Sequence, residues 1–152
     1  MVGFVKDSGQ VFAGKHLLLD FYDCKVVPAH TLIELAMVDA CIATGATVLF
    51  HHSHPFAGGG SSGVVILAES HGTWHSWSEE QFVAVDIFVC GTCQPEMAVD
   101  ILKNLFKPEK VSVKMEKRGI IADCNREFRY NISNKAHVQL ASALAYTKYP
   151  PI

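Results

Sequence analysis

The stretch "SGVVILAESHGTWHSW", residues 62–77, decides how this chain folds. Its first half is an apolar run of the kind that forms a strand in a protein core, and the polar segment "ESHGTWHSW" follows directly. An acid, a serine and two histidines are costly to bury at the end of such a strand unless each finds a polar partner. The sequence therefore predicts a polar site at one edge of the core, at the end of a strand, "VVILAES", that reaches Ser70.

Four further segments predict strands. They cover residues 14–24, 47–54, 82–90 and 110–116. The run "FVAVDIFVC" at 82–90 is almost unbroken and is typical of a strand that is buried on both faces. In contrast, "KVSVKME" at 110–116 alternates between apolar and polar residues, as a strand with one wet face does.

Two segments have the apolar spacing of helices. The first, "TLIELAMVDACIATGA", ends at Gly45 and presents one apolar face made of Ile33, Ala36, Met37, Ala40 and Cys41. The second begins at Pro95 and turns inward Ala98, Ile101, Leu102 and Leu105. We therefore expect an α+β fold: a two-layer α/β sandwich in which helices cover one face of a largely antiparallel sheet. One domain covers residues 1–152 in this prediction.

The composition excludes several classes of protein. With 49% hydrophobic and 18% charged residues among 152, the chain suits one globular domain with a core of its own. A formal net charge of -2 provides no basic surface for nucleic acid or anionic lipid, so we expect a small-molecule partner. The longest apolar stretch, residues 32–50, is interrupted by Glu34 and Asp39 and does not suit a membrane span. Since no signal peptide is recognisable, we expect a cytoplasmic protein.

Cysteines and histidines raise the questions of metal binding and redox chemistry. The five cysteines are an odd number in a chain expected in the cytoplasm, so a disulfide framework is not predicted. His51, His52 and His54 lie close in sequence, and Cys90 and Cys93 have the spacing of zinc knuckles and redox pairs. Neither set has the second pair of ligands that a structural zinc site needs, so no metal is predicted. A non-catalytic protein that binds a metal or a partner through the histidines remains an alternative.

Ser70 stands between Glu69 and His71, a setting that suggests an activated serine. The G-x-S-x-G turn of the α/β-hydrolases is absent around it, which disfavours Ser-His-Asp hydrolysis. On its own, E-S-H at the end of a strand is more typical of side chains that satisfy nearby backbone groups. Other motifs at set distances from Ser70 change this interpretation.

Four motifs together resemble the prokaryotic S-adenosylmethionine decarboxylases, a pyruvoyl-dependent family. In chain order they are "GKHLLLDFYDC", "SGVVILAESHGTWHSW", "AVDIFVCG" and "FKPEKVSVKMEKRG". The resemblance spans residues 14–119, which is most of the chain. It implies a two-layer α/β sandwich that dimerises, and a cofactor that the enzyme makes from its own backbone.

The resemblance implies that the chain cleaves itself between Glu69 and Ser70. The Ser70 hydroxyl attacks the Glu69 carbonyl, the amide becomes an ester, and elimination leaves chains of residues 1–69 and 70–152. The new terminus at Ser70 becomes a pyruvoyl group, which captures the substrate amine as a Schiff base and accepts electrons as CO2 leaves. The implied reaction converts S-adenosylmethionine to its decarboxylated form in polyamine biosynthesis.

Five more residues match functional residues of the family. Cys90 is implied as the proton donor of decarboxylation, since a thiol is mostly protonated at neutral pH yet gives up its proton readily. Ser62 and His75 are implied in self-processing. Phe56 and Glu79 are implied in substrate binding, through stacking on adenine and hydrogen bonds to the ribose hydroxyls.

The spacing of two serines bears on how many chains build one site. In a single extended strand, Ser62 and Ser70 share a face but lie about 26 Å apart, at roughly 3.3 Å per residue. One chain can then bring both to one site only if the strand bends sharply; otherwise Ser62 of one protomer reaches Ser70 of its partner. Since the resemblance implies dimers with shared sites, we predict that Ser70 and Cys90 of one protomer meet a set from its partner. That set is Phe56, Ser62, His75 and Glu79.

Departures from the family pattern affect the substrate pocket more than the reacting residues. The family has a bulky aliphatic residue where this chain has Gly72, so we expect Gly72 to remove a wall beside the adenine. Trp74 is expected to add bulk on the opposite face of the strand. Ser78 and Gly58 stand where the family has proline, and Ser61 where it has an aliphatic residue.

These departures leave alternatives open. The same chemistry on a free basic amino acid, arginine or ornithine, would use Glu79, Glu80 or Asp86 to pair with the cationic group of the substrate. The Ser61–Ser62 bond is a second and weaker candidate for cleavage, because other pyruvoyl enzymes cut between two serines. The extension at residues 120–152 receives no assigned role.

Overall fold

The computed structural model describes residues 4–121, which form an antiparallel sheet with helices against one face. The elements are β1 (Val5–Asp7), β2 (Gln10–Phe12), β3 (Gly14–Tyr22), α1 (His30–Ala43), β4 (Val48–Pro55), β5 (Ser61–Leu67), β6 (His71–Trp77), β7 (Phe82–Val89), α2 (Ala98–Phe106) and β8 (Lys110–Arg118). Six strands pair in the order β4-β5-β6-β7-β3-β8, each pair antiparallel, while β1 and β2 form a separate small sheet. The predicted α+β sandwich is confirmed.

The helices are held against the sheet by their apolar faces. Four of the five residues predicted for the face of α1 are buried, namely Ile33, Met37, Ala40 and Cys41. A short 3₁₀ turn at Pro95–Met97 leads into α2, which buries Ala98, Leu102 and Phe106. Burial of each large apolar side chain among these stabilises the fold by about 1.5–3 kcal/mol. The local spacing of apolar residues thus specifies which side of each helix meets the sheet.

The two faces of the sheet differ because the helices cover only one. On the covered face, β7 buries Val83, Val85, Ile87 and Val89. The alternate residues of β7, from Phe82 to Phe88, are only half-buried, since no described element packs on them. The prediction that β7 is buried on both faces is therefore wrong for the single chain. We call the uncovered side of the sheet the open face.

β5 and β6 form a hairpin whose tip carries the polar segment. β5 ends at Leu67, which exchanges backbone hydrogen bonds of 2.9 and 3.3 Å with Ser70 across the turn. β6 runs back from there and pairs His75 with Ser62. The prediction that this strand reaches Ser70 is wrong, because the chain reverses after Leu67. The straight part of the strand, from Ser62 to Leu67, spans about 17 Å. A continuous strand from Ser62 to Ser70 would span roughly 26 Å.

Trp74 fills the covered face of this hairpin, and small residues make room for it. Its side chain is fully buried, and a Cβ atom at Gly63 would lie 2.0 Å from its Cη2 atom. The indole Nε1 donates to Ser61 Oγ at 3.2 Å, and Ser61 Oγ lies 3.0 Å from Ser76 Oγ. Two departures from the family pattern, Ser61 and Trp74, therefore satisfy each other in the core.

Gly72 lies under α1 and not beside a substrate pocket. A Cβ atom at this position would meet Cys41 Sγ at 3.0 Å and Met37 Cε at 3.4 Å. The expectation that Gly72 opens a wall of the adenine pocket is therefore wrong. Trp74 lies on the same face as Gly72 and not on the opposite one, because residues two apart in a strand point to the same side.

Replacing Gly63 with alanine is expected to destabilise the chain, because the added methyl group overlaps the Trp74 ring. Overpacking of this kind costs about 1–3 kcal/mol, which lowers the urea midpoint of unfolding. The matched control is Gly58→Ala, whose Cβ would meet no atom within 4 Å. Both variants are made together with Ser70→Ala so that every chain stays uncleaved. Equal midpoints for the two would contradict this packing.

Some predictions concern residues outside the described part of the chain. Residues 122–152 lie outside it, so the single domain over 1–152 and the extension from residue 120 stay predictions. Within residues 4–121, the cysteines are free thiols, namely Cys24, Cys41, Cys90 and Cys93. No helix in this part is long and apolar enough to cross a membrane. The expected cytoplasmic location stays a prediction.

Candidate active site

The Glu69–Ser70 peptide lies at the tip of the β5–β6 hairpin. The Glu69 carboxylate accepts hydrogen bonds from the Thr47 backbone N–H at 2.8 Å and from Thr47 Oγ1 at 3.3 Å. The Ala68 N–H donates to the Thr47 carbonyl at 2.9 Å. Ser70 is held at φ = +157°, at the limit of the region that residues with a Cβ atom avoid. The turn thus presents this peptide bond in a constrained conformation.

Cys90, directly after β7, contacts the carbonyl group of that peptide. Its Sγ donates to the Glu69 carbonyl oxygen at 2.9 Å. Burial, and to a lesser degree the charge of Glu69, raise the pKa of the Cys90 thiol above its ordinary value of 9.0, so the thiol stays protonated at neutral pH. A donor on this oxygen draws electron density from the carbonyl carbon, which makes the carbon more open to attack.

His71 contacts the Ser70 hydroxyl, although the sequence analysis gave His71 no role in self-cleavage. Ser70 Oγ lies 3.2 Å from His71 Nδ1, and His71 Nε2 lies 3.7 Å from Asp86 Oδ1. The order serine, imidazole, carboxylate is that of a Ser-His-Asp set, which the absence of G-x-S-x-G had disfavoured. The available signal was the histidine directly after the serine, together with an acid in the middle of an apolar strand.

Asp86 is held by polar side chains from the neighbouring strands. Thr73 Oγ1 donates to its Oδ2, and His16 Nε2 lies 3.1 Å from its Oδ1. Arg118 Nη1 donates to His16 Nδ1 at 2.9 Å. Because arginine only donates, His16 Nδ1 is the acceptor and Nε2 carries the proton toward Asp86. The carboxylate therefore lies between two imidazoles, with an arginine behind one of them.

A cavity of about 1010 Å³ opens beside the Glu69–Ser70 peptide. Glu69, Cys90 and Cys93 line it on the side of the hairpin tip and the segment after β7. Asp7 and Lys15 line it on the side of the N-terminal strands. Its volume matches the largest small-molecule sites. The structure therefore provides space for a ligand next to the predicted cleavage bond.

The other predicted residues lie at the opposite end of the hairpin. Ser62 pairs with His75 in β6 and with His54 in β4, so their side chains share the open face. Ser62 and His75 also line a smaller cavity of about 290 Å³. Phe56 follows β4 with 41% of its surface exposed, and its ring lies 6.0 Å from that of His54. Glu79 lies in the exposed turn between β6 and β7.

The candidate site residues thus form two groups within one chain. The cleavage cluster comprises Glu69, Ser70, His71 and Cys90. The distal cluster comprises Phe56, Ser62, His75 and Glu79. His75 is four residue steps after His71 in β6, which is about 13 Å along the strand. The structure places each group at one end of the hairpin and does not bring the two groups together within one chain.

The histidines that raised the question of a metal site point in different directions. His51 hydrogen-bonds to Glu34 of α1, while His52 and His54 lie on the open face. Ser53 Oγ also donates to Glu34, and the hydrogen bonds from Ser53 and His51 lower the pKa of that carboxyl group. Among residues 4–121, no three histidine, cysteine or acidic side chains are placed to hold a metal ion.

The alternative cleavage bond, Ser61–Ser62, lies in a different setting. It is at the start of β5, where β4 and β6 pair with the strand on both sides. A peptide in the middle of a sheet is held in regular extended geometry. Glu69–Ser70 instead lies in a turn, with a thiol on its carbonyl oxygen. The local geometry therefore favours Glu69–Ser70.

Comparisons with known proteins agree on one family. Residues 15–119 match the family model described as S-adenosylmethionine decarboxylase. The chain is 38% identical over 111 residues to the S-adenosylmethionine decarboxylase proenzyme of Methanococcus maripaludis, covering 71% of this chain and 91% of that one. It is 36% identical over 128 residues to the proenzyme of the same name from Thermodesulfovibrio yellowstonii, covering 80% and 93%. The crystal structure of the adenosylmethionine decarboxylase from Aquifex aeolicus matches with a TM-score of 0.65 at 26% identity, over 76% of this chain and 98% of that chain.

Proposed function

Because the chain belongs to the S-adenosylmethionine decarboxylase family, we propose that it is a proenzyme that cleaves itself at Glu69–Ser70 and then decarboxylates S-adenosylmethionine for polyamine biosynthesis. The observation that carries this proposal is the hydrogen bond from the Cys90 thiol to the Glu69 carbonyl, next to the Ser70 hydroxyl. The names of the relatives give no support to the alternatives with arginine or ornithine.

The residues of the cleavage cluster suit the first reaction. Ser70 Oγ attacks the Glu69 carbonyl carbon, whose oxygen is hydrogen-bonded to Cys90. The C–N bond then breaks, and an ester joins Glu69 to the Ser70 side chain. Elimination breaks the bond between Cβ and Oγ, and hydrolysis releases ammonia from the new terminus. The products are chains of residues 1–69 and 70–152, the second beginning with a pyruvoyl group.

The same residues suit the second reaction. A pyruvoyl group at residue 70 supplies a ketone that accepts electrons as CO2 leaves. Cys90 is close enough to deliver the proton that replaces the carboxyl group, because its thiol already contacts the backbone at residue 69. The raised pKa of Cys90 keeps that proton on sulfur at neutral pH. The adjacent cavity has room for the substrate.

We infer that two chains complete each active site in a homodimer. The cleavage cluster lacks Ser62 and His75, which lie about 13 Å or more away along the hairpin. A two-fold axis across the open faces would bring the cleavage cluster of one chain to the distal cluster of its partner. Phe56 and Glu79 of the partner would then contact the adenosine part of the substrate. Each dimer would contain two equivalent sites.

The open face has the composition of a surface that another chain covers. Ile66 and Trp77 are 39% and 44% exposed although both are large apolar side chains. The rings of Tyr22, Phe82 and Trp77 lie in a row with centroids 5.1 and 5.4 Å apart. Contiguous apolar surface of this kind marks interaction sites. A second copy of the chain is the partner that would also complete the site.

Cleaved protein is expected to release CO2 from S-adenosylmethionine much faster than from arginine or ornithine. The measurement is the release of labelled CO2 from each carboxyl-labelled compound at equal concentration. Ser70→Ala protein is the control, because it cannot form the ketone. Faster release of CO2 from arginine or ornithine would contradict S-adenosylmethionine as the substrate and would still support pyruvoyl-dependent decarboxylation. Cleaved protein that is inactive on all three compounds would contradict the proposal.

A further inference from the structure

Ser70 needs a base close to its hydroxyl. The resemblance implies no base that belongs to the same chain as Ser70. A serine hydroxyl is a weak nucleophile until a base removes its proton. The predicted processing histidine, His75, lies about 13 Å from His71 along β6, at the other end of the hairpin. His71 Nδ1 lies 3.2 Å from Ser70 Oγ in the same chain. Within residues 4–121, the imidazole that contacts the reacting oxygen of Ser70 is therefore that of His71.

The geometry also suits His71 for accepting a proton. Nδ1 accepts only when Nε2 carries the ring hydrogen. Nε2 faces Asp86 Oδ1 at 3.7 Å, which is an ion-pair distance and too long for a hydrogen bond. When Nδ1 takes the serine proton, the ring becomes a cation with this carboxylate on its far side. Asp86 thus stabilises the form of His71 that proton removal creates.

The remaining charged groups near His71 come from β3 and β8. His16 of β3 lies edge-on to the His71 ring, with centroids 6.4 Å apart, and its Nε2 shares Asp86 Oδ1. Arg118 donates to His16 from the far side, and Glu116 is the register partner of His16. On the β5 side the register partner of His71 is apolar. Within residues 4–121, the acidic side chain that lies within 4 Å of a His71 ring nitrogen is that of Asp86.

We propose that His71 is the general base of ester formation at Ser70, with Asp86 as the residue that positions its ring; this rests on the self-cleavage proposed above. The proton of Ser70 Oγ moves to His71 Nδ1 while Oγ bonds to the Glu69 carbonyl carbon. The C–N bond to Ser70 then breaks, and the proton passes from Nδ1 to the leaving nitrogen. No proton or electron is gained or lost overall. This assignment leaves the later elimination to His75 of the partner chain, the histidine that the resemblance implies in self-processing.

The test measures ester formation alone, in newly synthesised His75→Ala chains from cell-free translation. Hydroxylamine splits an ester and leaves a peptide bond intact. It therefore converts the trapped ester into residues 1–69 with a terminal hydroxamate and residues 70–152 with an N-terminal serine, which mass spectrometry counts. Adding His71→Asn is expected to slow ester formation about 100-fold or more, because a side-chain base contributes roughly 10²–10⁴-fold. Asparagine keeps an acceptor near the Nδ1 position but does not take a proton.

Two further readouts separate a base from a residue that only supports the fold. The first is the pH profile of ester formation: a rate that depends on a side-chain base falls toward acid pH, and His71→Asn should remove that fall. Imidazole added to His71→Ala chains should restore part of the rate. The matched control is His51→Ala, which removes an imidazole that bonds to Glu34 on the covered side of the sheet and should leave the rate unchanged.

The outcomes distinguish this inference from the proposed function. An unchanged rate in His71→Asn would overturn His71 as the base, and so would the absence of ester in chains that carry His75→Ala alone, since His75 would then be required for the first step. Failure of imidazole to restore any rate to His71→Ala chains would also count against it. A wild-type chain that forms neither ester nor fragments would overturn the self-cleavage itself.

Discussion

Ser70→Ala protein is expected to remain one chain of 152 residues, while the wild type separates into residues 1–69 and 70–152. Alanine lacks the hydroxyl that attacks the Glu69 carbonyl, so cleavage and decarboxylation should both fall below detection. The loss of one oxygen at a turn leaves the sheet and the helices as they are. Intact mass spectrometry measures the fragments and shows whether the second begins with a pyruvoyl group.

Ser112→Ala is the control for this experiment, because Ser112 is in the edge strand β8 and pairs with Asp20, away from the hairpin tip. It should cleave as the wild type does. A wild-type protein that stays uncleaved, with the Ser70 hydroxyl intact, would contradict the proposed self-cleavage. Fragments of residues 1–61 and 62–152 would move the cleavage bond to Ser61–Ser62 and contradict the assignment to Ser70.

Co-expression of Ser70→Ala chains with His75→Ala chains is expected to restore cleavage that neither variant shows alone. In a heterodimer, the His75→Ala chain keeps Ser70 and the Ser70→Ala chain keeps His75. If the cleavage cluster of one chain meets the distal cluster of the other, one of the two sites is then intact. Different affinity tags isolate the heterodimer, and mass spectrometry should find the fragments only from the His75→Ala chain.

A second pairing controls for simple stabilisation by a partner. Ser62→Ala and His75→Ala both change the distal cluster, so each site in their heterodimer lacks one of the two residues, and no rescue is expected. Rescue in this control would contradict the shared site. An active monomer, or no cleavage in the pair of Ser70→Ala and His75→Ala chains, would show that one chain builds its own site.

Much of the fold could be predicted because its signals are local. The spacing from Ile33 to Cys41 specifies the buried side of α1, and the alternation along the strands specifies which residues face the core. The sequence does not show whether one or both faces of a strand are covered, so the apolar run of β7 was expected to be buried on both faces. Phe82 and Phe88 remain half-buried because the helices lie on one side only.

Reversals of the chain were harder to predict than strands. "SGVVILAES" contains no glycine or proline near Leu67, where β5 ends, so the run was expected to continue to Ser70. The turn is instead held by backbone hydrogen bonds between Leu67 and Ser70 and by the Glu69 carboxylate on Thr47. Thr47 is distant in sequence, and a contact of that kind leaves no local pattern.

The amino-acid sequence alone determined the reacting groups, the elements that carry them and the family resemblance, because these depend on residue identity and on spacing within one segment. The tertiary structure alone decided which groups meet. It placed the Cys90 thiol on the Glu69 carbonyl and the His71 ring between Ser70 and Asp86. It also placed Ser62 and His75 at the far end of the same hairpin. Distances through space depend on where strands end and how they pair, and those features come from contacts between segments that are remote in sequence.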